Sequence, residues 1–161
     1  MDGTYRIGTD HIRSLAIQCH ALDLQFDLLF NDSTICGYSD RIYETYNRLL
    51  STALLNLAVS IRVSLNGEPL YKSRESGIGA CGLFEDDGPH GDGSFSIKDV
   101  CDKLIHADQI RKPIEPGVRG AGCQLIGFYQ RKQWELGLGV QILAEWVLKW
   151  LDEIDDRAGA P

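Results

Sequence analysis

The chain has 161 residues, 43% of them hydrophobic and 24% charged, which suits one globular domain with a core of its own, residues 1 to 161, and leaves little room for two. A formal net charge of −7 excludes a global attraction to phosphate backbones, so any contact with nucleic acid has to be local. Cys19, Cys36, Cys81, Cys101 and Cys123 are an odd set with no CxxC pair, so neither a disulfide framework nor a zinc knuckle is indicated, and reduced thiols in a cytoplasm fit best.

Met1 to Ile12 has no basic segment followed by an apolar run, and no apolar stretch reaches the ~20 residues that span a bilayer, so a soluble, cytoplasmic chain with no membrane partner is expected. From Ile12, the residues Leu15, Ala16, Cys19, Leu22, Phe26 and Leu29 repeat at helical spacing, predicting a helix over 9–30 that Thr9 or Asp10 caps. Ser39 or Asp40 opens a second helix over 40–65, whose stripe runs from Ile42 to Ile61 and which Asn66-Gly67 ends. Residues 67–95 are rich in glycine and acid and read as a flexible excursion. Ser96 as N-cap, Asp99 at the capping-box position and Phe95 stapled on Val100 start a short helix over 97–107. Two strands, 124–129 and 134–140, follow around a turn at Gln130 to Gln133, with Trp134 and Leu136 expected against the bundle. The period then returns to helical over 141–155. The predicted fold is mainly α, a four-helix bundle with a small antiparallel β-hairpin before the last helix.

Candidate chemistry gathers on the third helix. Lys98, Asp102 and His106 fall in one row at helical spacing, so the Asp102 carboxylate is placed to contact the imidazole one turn on and favour its protonated form. An imidazole on an open face is a general acid or base, although a surface His beside an Asp needs no functional explanation. In this third helix, Cys101-Asp102-Lys103-Leu104-Ile105-His106 resembles the motif of the HEPN superfamily. Active ribonucleases of that superfamily carry an arginine, usually a polar residue next, and a histidine a few positions on. Cys101 stands at the arginine position, Asp102 at the polar position and His106 at the histidine position.

The resemblance implies a helical domain with the excursion and the hairpin as insertions. It also implies an RNA or nucleotide ligand, a homodimer that joins two motif copies, and a place in a defence, toxin or regulatory system. If the chain is an endoribonuclease, His106 and Asp102 are its catalytic residues and Lys98, Lys103 and Arg111 bind the phosphates; no cofactor and no metal is expected. A thiol at position 101 cannot hold a phosphate as an arginine does. A non-catalytic protein-interaction module of the same architecture therefore remains the alternative, with the last helix and the long second helix as its oligomer interface and Trp146 or Trp150 as anchors.

Three further patterns carry less. Arg13-Ser14 with His20 matches the same motif on the first helix, where polar residues on an exposed face need no function. Pro89-His90-Gly91-Asp92 beside Glu85, Asp86 and Asp87 lacks the ligand alternation of an EF-hand. Gly77-Ile78-Gly79-Ala80-Cys81-Gly82 lacks the strand and helix that a dinucleotide fingerprint requires.

Overall fold

The computed structural model describes residues 8–31, 39–67, 95–115 and 117–159. The patterns at 77–82 and 85–92 lie outside the described residues. Within them the chain is mainly α: α1 (Thr9–Phe30), α2 (Asp40–Gly67), α3 (Ile97–Ile105), strands β1 (Gln109–Arg111), β2 (Cys123–Tyr129) and β3 (Lys132–Leu138), and α4 (Val140–Ala158). The strands form one antiparallel sheet in the order β1-β2-β3.

The helices form where apolar residues recur at three and four. Ile12, Leu15, Ala16, Cys19 and Phe26 of α1 are buried against Leu50, Leu54, Leu57 and Ile61 of α2 and Leu143, Val147, Trp150 and Leu151 of α4 in one continuous core. α1 lies between α2 and α4, and α3 packs chiefly on α2. By length and composition α2 would also span a bilayer, but half of its apolar window is buried in this fold, as expected of a core helix. The α3 N-terminus is held by a reciprocal capping box, in which Asp99 N–H donates to Ser96 Oγ and the Asp99 carboxylate accepts from Ser96 N–H, satisfying two helix-end donors.

Several boundaries differ from the sequence reading. Gly8, with no side-chain cap, precedes α1. α2 runs on through Gly67, and α3 stops at Ile105 with His106 as its C-cap. The hairpin turn is two residues, Gln130 and Arg131, both with positive φ, and this pulls β3 two positions toward the N-terminus and frees Val140 to start α4. Two central residues at positive φ give the turn the twist of the flanking strands. β1 is an addition to the expected hairpin; it pairs Gln109 with Ile126 and Arg111 with Gln124. Trp134 and Leu136 are buried as alternation requires, and Gly127, directly opposite Trp134, leaves the indole the space where a Cβ would stand.

Candidate functional site

The five residues expected to form a site lie on α3, at its C-cap and on β1. His106 is exposed at the end of α3, and among the described residues its imidazole makes no hydrogen bond or ion pair; its backbone N–H donates to Asp102 O. The Asp102 carboxylate pairs with Arg62 of α2, Nε to Oδ1 2.8 Å, rather than with the imidazole. The Lys103 ammonium sits 4.3 Å from the centroid of the Trp134 ring, a cation–π contact that ties α3 to the sheet. Arg111, on β1, donates from Nε to Gln124 Oε1 at 3.0 Å. Lys98 is half-buried in the first turn of α3. Cys101, at the position an arginine would hold, is 1% exposed and belongs to the core. The match on α1 is structural: Arg13 binds Asp10 of its own helix and Asp152 and Asp155 of α4 at 2.8 to 3.0 Å, and His20 lies 3.6 Å from Glu145. Trp150 is 2% exposed and belongs to the core.

Two features escaped the sequence reading. The first is a sealed polar cluster at the junction of α1, α2, α4 and the segment after β1. Lys112 is 0% exposed; its ammonium donates to Asp23 Oδ1 at 2.6 Å and lies 4.8 Å from the Phe26 ring centroid. Gln141 Nε2 donates to the other oxygen of Asp23 at 3.1 Å. The Lys112 backbone is gripped at both ends, its N–H by Asn47 Oδ1 and its carbonyl by the Tyr43 hydroxyl, each at 2.8 Å. Burial, and then the nearby Asp23 carboxylate, push the Cys19 and Cys123 thiols up to about 12 and the Tyr46 phenol upward as well. A charge pair closed to solvent and matched donor to acceptor is suited to fixing geometry rather than to turnover. The signal was present: Asp23 falls at helical spacing among Cys19, Phe26 and Phe30, a carboxylate on an otherwise apolar face.

The second feature is the outer surface of α1 and α2. Every exposed residue of α1 from Ser14 to Leu29 is uncharged, and so is every exposed residue of α2 from Leu49 to Gly67. Ile17, Leu24, Leu28 and Leu29 of the first helix and Ile42, Leu49, Val59 and Val63 of the second are 40% exposed or more. A groove of about 380 Å³ runs between the helices, walled by Leu22, Gln25 and Leu29 on one side and by Arg41, Ile42, Thr45, Tyr46 and Leu49 on the other. On α2 the apolar residues at 42, 49, 59 and 63, with Thr45, Thr52 and Asn56 between them, follow the alternation of three and four that seats one helix on another. Among the described residues no group of three or more His, Cys, Asp or Glu side chains is placed to hold a metal ion.

Comparison with known proteins finds no family whose model matches the chain, no curated protein similar to it and no solved structure similar to it. Fold and surface together define the class: a mainly α domain with a small antiparallel sheet, a sealed ionic cluster inside and an uncharged apolar face outside.

Proposed function

We propose that this chain is a non-catalytic protein-interaction module that docks through the outer face of α1 and α2. The observation that carries the reading is the run of exposed, uncharged residues on two adjacent helices of a chain that is 24% charged. A helix that faces only water normally carries its charges there, and contiguous exposed apolar surface marks a site of association. A photo-crosslinking amino acid at position 49, with position 128 of the sheet as control, tests this. Intermolecular adducts to an identified protein are expected from position 49 alone. Adducts confined to the same molecule, or equal yields from both positions, would remove the reading.

One observation favours a second reading, an RNA-directed role at His106 of the kind the HEPN resemblance implies. Arg62 brings a guanidinium to Asp102, one turn before His106, and so supplies from α2 the cation that Cys101 cannot. Metal-independent cleavage of RNA by the wild type, lost in His106→Ala and in Arg62→Gln with the fold intact, is what this reading requires. A wild type that leaves RNA uncut at high protein concentration disposes of it.

A further inference from the structure

We infer that the outer face of the sheet is a binding site for single-stranded nucleic acid, separate from the α1/α2 face and from His106. Alternation along the strands builds that face. Cys123, Leu125, Trp134, Leu136 and Leu138 are buried against the bundle, so the residues between them point away from it. The register then sets Arg111 beside Gln124 and Gln109 beside Ile126 across β1 and β2, and Phe128 beside Gln133 across β2 and β3. Phe128 is 59% exposed, and Gln109, Arg111 and Gln133 are exposed as well. Over Gly137, opposite Gln124, a Cβ would meet only open space.

The face thus offers one solvent-facing ring among planar amide and guanidinium groups. A ring of this kind takes the π-face of any unpaired base, and Gln and Arg side chains hydrogen-bond base edges. Bases paired in a duplex hide their π-faces, so the ligand these groups fit is single-stranded. Arg111 gives its Nε to Gln124 Oε1, and among the described residues its two terminal nitrogens make no hydrogen bond and remain for a phosphate.

Charge selects the same ligand. The chain carries −7, yet the exposed run from Phe128 to Gln133 holds Arg131 and Lys132 and no acid. With Arg111 across the sheet, cations stand at both ends of the outward residues of β2, and Glu135 is the single carboxylate borne by the three strands. A phosphate chain laid from the turn to β1 passes the Phe128 ring between those cations. A lipid surface fits less well, because Phe128 and Tyr129 are neighbours in one strand and point to opposite faces, so they make no joint apolar wedge.

The test is fluorescence anisotropy of the intact chain with a labelled mixed-sequence strand of about 12 nucleotides, within the span such sites cover, as DNA, as RNA and as a DNA duplex, at about 0.05 M salt. One or both single strands should bind with a Kd below about 100 micromolar, and the duplex should bind at least about tenfold more weakly. Phe128→Ala should weaken binding by about fivefold or more. Arg131→Gln with Lys132→Gln should weaken it and flatten its salt dependence, and Glu135→Gln should strengthen it. These positions lie on the sheet surface, so circular dichroism and melting temperature should stay as in the wild type. His106→Ala and Leu49→Arg should bind as the wild type does, which keeps this site distinct from the two readings above. No binding of either single strand at about 200 micromolar protein, equal binding of the duplex, or a Phe128→Ala variant that binds unchanged overturns the inference. So does binding lost in His106→Ala, which would place the contact on α3, and so does Phe128-dependent sedimentation with phosphatidylserine vesicles by a chain that binds no oligonucleotide.

Discussion

Asp23 and Lys112 join parts of the chain that are far apart in sequence. The lysine lies beyond the end of β1 and the aspartate in the middle of α1, 89 positions apart, so their contact fixes where the segment after β1 enters the bundle. Neither would be tolerated there alone, since removing one partner of a buried ion pair strands the other charge and costs about 3–5 kcal/mol. Lys112→Met is therefore expected to lower unfolding free energy in guanidinium by that order, and Asp23→Leu with Lys112→Met to recover most of it. Equal losses in the single and double variants would show that the lysine stem, not the charge pair, matters. The thiols beside this cluster make a separate prediction about pH. Cys19 and Cys123 lose their protons near 9 when free and near 12 in the fold. The folded chain thus binds protons more strongly, and the stability this represents is present below pH 9 and declines as pH rises toward 12. Denaturant midpoints should fall between pH 9 and 11, and less so in Cys19→Ala with Cys123→Ala; an unchanged slope in that variant would assign the fall to other groups, Tyr46 first among them.

At the level of elements, the close approach of β2 and β3 depends on Gly127, where an added Cβ would overlap the Trp134 ring. Gly127→Ala should cost about 1–3 kcal/mol, as overpacking of a filled site does, and a thermal melt shifted by less than the error of the measurement would show that the indole moves aside freely. Trp134 in turn carries Lys103 on its face, so the same substitution should also loosen α3 against the sheet. The sequence made the helices and the two longer strands legible because each buries a stripe of its own: Ile42 to Ile61 reads at period 3.6, Trp134 to Leu138 at period 2. β1 was not legible, since three residues are too few for a period and its pairing is made by backbone groups that every residue has. The hairpin turn was misplaced because Gln130 and Arg131 take positive φ without glycine or asparagine to announce it. His106, Asp102, Lys98, Lys103 and Arg111 could be named from sequence, but the partners of three of them, Arg62 for Asp102, Trp134 for Lys103 and Gln124 for Arg111, come from other elements and leave no local pattern.

Across the whole molecule, charge is distributed so that the two functional readings respond oppositely to salt. Contact with RNA would be made by few cations on an acidic chain, and each phosphate neutralised releases counterions, so affinity for RNA falls as salt rises, in proportion to the number of phosphates contacted. Docking through the α1/α2 face is carried chiefly by apolar side chains, with Arg41 at one end of the groove, and ionic interactions at the surface are screened within a Debye length of about 10 Å at 0.1 M salt. Association through that face should therefore hold or strengthen when sodium chloride is raised from about 0.1 M to about 0.5 M, and strengthen further in sulfate, which favours apolar burial. The expected result is a yield of intermolecular adducts from a photo-crosslinking residue at position 49 that holds or rises in high salt and falls when Leu28→Arg is added. An association that weakens severalfold over the same range would place charged groups in the contact and return attention to Arg62 on α2 and His106 at the end of α3.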